Sequence, residues 1–541
     1  MLKKIYRYSQ SLFSSFTRQS LEPSSSLIPS LTRVIIGNGV AGIEAAKTLR
    51  KLDQDCRIIV ISEESVLHWS RPALMYIFME DLSFSESCPY PQEWFTQKRI
   101  ELVQDRVVGV DRSQQRLSLK NRQALFYDQL LVACGSHPIT LAHIPIALDD
   151  VLGFYHLQDG ETLKQKTQHA QHALIIGGGL IAVELAEVLI HQGLQVDVVT
   201  QDPLFAAHIL PTEEAKFLTD YLVEQGIRLH CLTQVEKLLT LEQDAPHDSD
   251  LESQEPQLFA EQDKRSHSSK QIHSNPRISQ KQILLSNGDI IHTELILMAI
   301  GVEPSIKRIS GLEDLSRRGL VVNHKLQSID PNIFAAGDCA ERILHSEHSE
   351  QVGEQAALPH TSDSLVSGTW YEAKAMGKVV AHSMHRAHLS QDLVPNLAQD
   401  QSEAKPQTHL YQPLVHQWFN SARFFEIEYQ EYGQCLNSLQ RNRSDLNSCY
   451  YLNYSQKKSL RLIYKDQVFT GICSLGIRLR QVLCQTWLEE KKSVLTVIES
   501  LHLLGFDPEF DTSINQAKEA LLKQYKSKIN ADLLDQSESV S

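Results

Sequence analysis

Two stretches decide the fold. The first is Arg33-Val-Ile-Ile-Gly37-Asn-Gly39-Val40-Ala41-Gly42-Ile-Glu-Ala-Ala; the second, about 140 residues on, is Ala173-Leu-Ile-Ile-Gly177-Gly-Gly179-Leu-Ile-Ala182-Val-Glu184-Leu-Ala. Each opens with an apolar run suited to a buried parallel strand and continues into small and aliphatic residues suited to a helix. Gly37, Gly39 and Gly42, and in the second stretch Gly177, Gly179 and Ala182, permit a tight turn. They let backbone N–H groups, those of Val40 and Ala41 included, approach a pyrophosphate at a helix N-terminus. A single such turn also arises for packing alone. Two in one chain imply two dinucleotides held at once, the arrangement of a flavoprotein supplied by a nicotinamide.

Further landmarks give the pair a specific reading. Asp330-Pro-Asn-Ile333-Phe-Ala-Ala336-Gly337-Asp338-Cys339-Ala340 is a short apolar strand running into Gly337-Asp338, with a helix expected to start there. Tyr127-Asp-Gln-Leu-Leu-Val-Ala133-Cys134-Gly135-Ser136 closes the first nucleotide unit, and Leu295-Ile-Leu-Met-Ala299-Ile-Gly301-Val-Glu-Pro304 closes the second. In this order the segments resemble the two-dinucleotide flavoprotein disulfide reductase superfamily, also called the pyridine nucleotide-disulfide oxidoreductases. The resemblance implies an α/β fold: two Rossmann-like, three-layer ββα nucleotide-binding domains of the glutathione-reductase type, followed by a C-terminal α+β domain. It also implies FAD in the first unit, with Asp338 bonded to the ribityl chain, and NAD(P)H in the second.

The chain of 541 residues has room for three or four domains. Apolar residues make up 42% and charged residues 22%, an ordinary soluble composition. With 52 basic and 66 acidic residues the formal charge is −14, which argues against non-specific nucleic-acid binding. No apolar stretch reaches membrane-spanning length. The nine cysteines, at 56, 88, 134, 231, 339, 435, 449, 473 and 484, form no C-x-x-C and no metal-ligand spacing, so no metal site is expected and a reducing compartment is favoured. Residues 1–30 are basic, Ser-rich and free of acid before Glu22; they read as the leader of a cytoplasmic protein or as a mitochondrial transit peptide.

The expected FAD domain is discontinuous, 31–143 and 311–388. The NAD(P) domain, 144–310, lies between, interrupted at 241–280 by a polar insertion expected to be a loop joining two strands of a meander. A linker at 389–408 leads to an aromatic, alternating C-terminal domain at 409–530, with a tail at 531–541. The resemblance places that domain against the flavin side, near a possible homodimer interface.

Glu63, after the strand Ile58-Ile-Val-Ile-Ser62, is the better of two adjacent acids for the adenosine ribose, Glu64 being the other. The segment Trp69-Ser-Arg71-Pro72-Ala-Leu resembles the Arg-Pro turn of NADH-dependent nitrite reductases, rubredoxin reductases and ferredoxin reductases, where the Arg lies against the flavin; apoptosis-inducing factor is of the same type. That place in the chain carries no redox cysteine pair, and Cys88 stands alone downstream. Glu184 occupies a position where the superfamily often has a Glu near the nicotinamide, making it the candidate catalytic residue. At the end of the next strand the usual ribose acid is replaced by Thr200-Gln201-Asp202. No Arg follows to meet a 2′-phosphate, so NADH is preferred over NADPH. The reading is an FAD-dependent NAD(P)H oxidoreductase with an unidentified electron acceptor, which could be a redox protein, a quinone or a small oxidant. Its rivals are a peroxide or disulfide reductase using Cys88 or Cys134, and an FAD-binding regulatory protein.

Overall fold

The strand Thr32–Ile36 buries Val34 and Ile35 completely because it has neighbours on both edges and layers on both faces. In the computed structural model, residues 31–139, 151–239, 280–343, 364–366, 368–392, 419–434, 446–506 and 512–538 are described. Thr32–Ile36 is the centre of a five-stranded, all-parallel sheet ordered Ile333–Ala335, Gln129–Val132, Thr32–Ile36, Arg57–Ser62, Ile100–Gln104. The helices Val40–Leu52 and Trp370–Asp392 pack together in this unit. Val107, Val110 and Leu117, from a small antiparallel sheet, join the same core.

The second unit repeats the plan. Its sheet runs Arg228–His230, Gln195–Val199, His172–Ile176, Leu295–Met298, Val151–Leu152, again all parallel. The pleat separates its faces. Leu174 and Ile176 meet Val235, Ile283 and Ile291 of an antiparallel three-stranded sheet. Ala173 and Ile175 meet the helices Leu180–His191 and Thr212–Glu224. Three layers therefore recur twice, and the chain has the α/β dinucleotide-binding fold. Asp197, in mid-strand, is tolerated because His172, His230 and Arg228 all bond its carboxylate.

Two expectations need correcting. No helix follows Gly337-Asp338: Ala340–Ile343 is a strand, paired parallel with Leu320–Val322. Its Glu341 is buried and accepts the backbone N–H groups of Arg318 and Gly319, which fixes the extended course. The helix beginning at Trp370 runs to Asp392, into the range read as a linker. The leader, nearly all of the insertion and most of the linker lie outside the described residues.

The C-terminal domain is a five-stranded antiparallel sheet ordered Phe419–Phe424, Ile427–Gly433, Val468–Leu475, Lys458–Lys465, Asn447–Asn453. The helices Gln481–Glu489, Val494–Glu499 and Ser513–Glu538 share its core. It packs on the helices of the second unit and shares a core with Trp69, Leu74, Met75 and Phe78 of the first. Phe424, Tyr429 and Leu475 join the second unit's core, and Phe217 meets Tyr454 edge-on. It also meets the first unit at Tyr371 and Phe419, whose rings lie 4.4 Å apart.

A buried ion pair pins this docking. Arg461 Nη2 lies 2.8 Å from Glu214 Oε2, with side-chain exposures of 5% and 1%. Ser459 Oγ donates to the same carboxylate. Removing the cation leaves a buried carboxylate with the Ser459 hydroxyl but no countercharge, which costs about 3–5 kcal/mol. Arg461→Ala is therefore expected to lower the urea midpoint by that equivalent; a loss under about 1 kcal/mol would show that the pair does not hold the domains together.

Candidate functional site

The two fingerprint turns are built alike. Gly37 (φ +107°) and Gly177 (φ +124°) sit where the terminal carbonyl of a neighbouring strand leaves no room: a Cβ would lie 2.1 Å from Ala133 O in the first unit and 2.2 Å from Ala299 O in the second. Each also donates its N–H across the sheet edge, to Ile61 O at 2.7 Å and to Val199 O at 2.8 Å. The middle glycines differ. A Cβ on Gly39 meets nothing within 4 Å, and one on Gly179 first meets His208 Nε2 at 3.5 Å. Their side-chain positions face open space. The helices Val40–Leu52 and Leu180–His191 start at these glycines without a side-chain cap. No side-chain oxygen caps these first turns, an arrangement that suits an anion.

Both turns open into one continuous cavity of about 1330 Å³. Ligand pockets commonly measure ~300–1,000 Å³, so this one exceeds the need of a single small molecule. Its wall carries Gly37, Gly39, Val40, Ala41, Glu63, Arg71, Pro72, Ala133, Gly135, Gly177, Gly179, Glu184, Thr200, Gly301, Gly337 and Asp338. Gly42 and Ala182 are not on the wall. A Cβ on Gly42 would lie 2.1 Å from Gly37 O, so that position serves the helix–strand contact.

Glu63 and Glu64 separate in role. Glu63 is on the wall, with 58% of its side chain exposed and Arg106 3.8 Å away. Glu64 is engaged: it accepts Leu157 N–H at 2.8 Å and Arg71 Nη2 at 2.7 Å. Burial pushes its carboxyl up, but His156 and Arg71 outweigh that and hold it at about 2. Arg71 also donates to Tyr155 O, and its guanidinium lies 4.7 Å from the Tyr155 ring and 5.2 Å from that of Trp69. It starts the turn Arg71–Ala73 that leads into the helix Leu74–Phe78.

Deeper in the first unit, Ser136 Oγ donates to Asp338 Oδ2 at 2.7 Å and also hydrogen-bonds Tyr155 OH. Burial raises the Asp338 carboxyl above its ordinary value. His68, bonded through Nδ1 to Asn38 O, is lowered to about 4 by burial and stays neutral at pH 7. Tyr155 comes from a loop with no recognisable motif, and its place on the wall was not legible in the sequence.

In the second unit Thr200 Oγ1 accepts the N–H of Asp202, and Asp202 Oδ2 lies 3.0 Å from His208 Nδ1. Both Asp202 and His208 are on the wall. A carboxylate is thus present near the strand end, at the position that corresponds to Glu64 and one residue beyond that of Glu63. His208 was missed, since nothing but proximity to Asp202 singles it out. Burial raises the Glu184 carboxyl to about 7, and the charge of Glu187 acts in the same direction. From the C-terminal domain, Asn420, Ser421 and Ala422 complete the wall. Cys134 is on the wall. Cys88 is not; its thiol donates to Phe84 O at 3.2 Å.

A family model described as pyridine nucleotide-disulphide oxidoreductase matches residues 32–357. The assimilatory nitrate reductase electron transfer subunit of Bacillus subtilis (strain 168) is 27% identical over 310 residues, 57% of this chain and 36% of that protein. The match thus spans about a third of that relative's length. NADH-rubredoxin oxidoreductase of Clostridium acetobutylicum is 24% identical over 314 residues, 57% of this chain and 68% of that protein. Among solved structures, a ferredoxin reductase from Rhodopseudomonas palustris superposes with a TM-score of 0.61 at 22% identity, covering 82% of this chain and 91% of that one. An NAD-dependent persulfide reductase from A. fulgidus gives 0.64 at 18% identity, covering 88% and 79%. At these identities the structural likenesses concern the fold.

The two first-unit glycines separate binding from packing. Gly39→Val is expected to fold, with an unchanged circular dichroism spectrum, and to lose the dinucleotide that the wild type releases on denaturation. Gly42→Val, forced against Gly37 O, is expected not to fold. Full nucleotide content in folded Gly39→Val would make the turn a packing device.

Proposed function

Because the chain belongs to the pyridine nucleotide-disulphide oxidoreductase family, we propose that it is an FAD-dependent oxidoreductase that takes a hydride from NADH and passes the electrons to a separate acceptor. The observation that carries this reading is the single cavity into which two uncapped helix N-termini both open. It fits two dinucleotides meeting end to end, as hydride transfer requires.

The first unit fits FAD. The N–H groups of Val40 and Ala41 bind the pyrophosphate, with the open face of Gly39 giving it room. Glu63 accepts the adenosine ribose hydroxyls, and Asp338, steadied by Ser136, accepts a ribityl hydroxyl. When bound, FAD supplies an acceptor for two electrons that can be returned one at a time. Arg71 acts as a wall between two aromatic rings, its charge balanced by Glu64, so it is a positioning residue. The helix after Arg71-Pro72 presents Leu74, Met75 and Phe78 and no thiol. With Cys88 off the wall, a thiol nucleophile at this face has no support from that residue.

The second unit takes the nicotinamide dinucleotide at Gly177, Gly179 and Gly301, with Thr200 beside the strand end. Asp202, the carboxylate bonded to His208, repels a 2′-phosphate and supports NADH over NADPH. Gly179→Val is expected to retain FAD and to reduce with dithionite, but to reduce with NADH at least tenfold more slowly, a barrier rise of about 1.4 kcal/mol or more. Wild type is expected to be reduced at lower NADH than NADPH concentrations in anaerobic stopped flow. Unchanged NADH reduction in the variant would remove the assignment of this turn, and a reversed preference would remove that of Asp202.

Glu184 is the proposed catalytic carboxylate. Its raised value leaves it protonated below about pH 7 and ionised above. The ionised form favours the positive charge that the nicotinamide gains on losing hydride. Flavin reduction by NADH is therefore expected to accelerate severalfold as pH rises through about 7. In Glu184→Gln that step should vanish while flavin content holds. A variant that keeps the wild-type pH profile would show that Glu184 takes no part.

A further inference from the structure

Two cysteines lie under the flavin-side turns, and the function proposed above uses neither. Cys134 stands just beyond the strand Gln129–Val132, and Cys339 just beyond Ile333–Ala335. These strands pair in parallel with Val132 opposite Ala335, which brings both strand ends to one place. The two thiols hydrogen-bond each other. Cys339 Sγ also lies 3.3 Å from Val132 O and 3.5 Å from Ala336 O. Their exposure differs: Cys134 is on the cavity wall, whereas Cys339 is 0% exposed behind it. The Cys134 S–H and the Gly135 N–H both bond the Cys339 sulfur and pull its thiol down from its ordinary value, while the same contact and burial push the Cys134 thiol well up, so the more acidic sulfur of the pair is the inner one. A reachable thiol is thus backed by a second thiol already in contact, the arrangement of an attacked and a resolving cysteine.

We infer that Cys134 and Cys339 are a peroxide-oxidisable pair that closes to a reversible intramolecular disulfide at the floor of the cavity. Cys134, the sulfur a peroxide in the cavity meets first, takes one peroxide oxygen to become a sulfenic acid, and the O–O bond breaks with release of water. The Cys339 sulfur then attacks, the S–S bond forms, the S–O bond breaks, and a second water leaves. Each sulfur loses one electron, each peroxide oxygen gains one, and both thiol protons depart in the two waters. The cross-link ties the turn Ala133–Ser136 to Gly337–Asp338, the two segments already joined by the Ser136–Asp338 hydrogen bond.

The test reads sulfur alone, so it is independent of whether the flavin accepts hydride from NADH. Full-length protein, as isolated and after removal of flavin, is treated with a small molar excess of hydrogen peroxide, alkylated under denaturing conditions, and mapped as non-reduced peptides. The expected product is a single Cys134–Cys339 cross-link, with two thiols lost per chain and restored by dithiothreitol. Cys134→Ser and Cys339→Ser each abolish it, and Cys88→Ser keeps it. The wild-type map decides the matter even where a variant fails to fold. Recovery of both residues as free thiols overturns the inference. So does over-oxidised Cys134 beside an intact Cys339 thiol, or a cross-link from either to another cysteine.

Discussion

A carbonyl oxygen set against a glycine Cα organises this molecule, and it does so twice. Ala133 O lies against Gly37, and Ala299 O against Gly177, at separations that no side chain survives. Because these carbonyls belong to the strand next to the fingerprint strand, each contact fixes two neighbouring strand ends and the helix that follows in one tight corner. The helix N-terminus is thereby brought to the rim of its sheet without a side-chain cap. Everything proposed about binding depends on those two corners facing one cavity.

Around that frame the polar residues divide by partner. Glu64, Arg71 and Tyr155 satisfy one another and form a stiff wall, so their charges are largely consumed within the protein. Glu63 and Glu184 are placed differently: the first is exposed at the rim, and the second is lined up along the cavity with its proton held until about pH 7. A wall that is largely paired within the protein, carrying Glu63 at the rim and Glu184 along the cavity, suits chemistry in which charge moves between two bound nucleotides. The C-terminal domain contributes Asn420, Ser421 and Ala422 to the same wall, and its docking through Arg461 and Glu214 keeps them there.

What could be read from the chain beforehand was what is encoded locally. The fingerprint turns were legible because strand, glycine spacing and helix are contiguous in sequence and each element needs only its own pattern. The landmarks at Ala133–Gly135, Ala299–Gly301 and Gly337-Asp338 were legible as apolar strands ending in glycine. The extended course after Asp338 was not, since it depends on Glu341 finding the N–H groups of Arg318 and Gly319 more than twenty residues away. Docking of the C-terminal domain rests on a pair 247 residues apart, Arg461 and Glu214, and neither residue advertises its partner. Asp202 and Tyr155 reach the cavity through loop conformation, which carries no periodicity to read.

The central claim is that one chain holds a flavin and a nicotinamide dinucleotide in a single cavity so that hydride passes between them. Anaerobic titration of the purified protein with NADH, followed at the flavin absorbance, measures that transfer directly. The account predicts that about one NADH per bound flavin bleaches the oxidised band, without any added mediator. A protein that carries FAD, binds NADH, and yet keeps its oxidised spectrum until dithionite is added would contradict it.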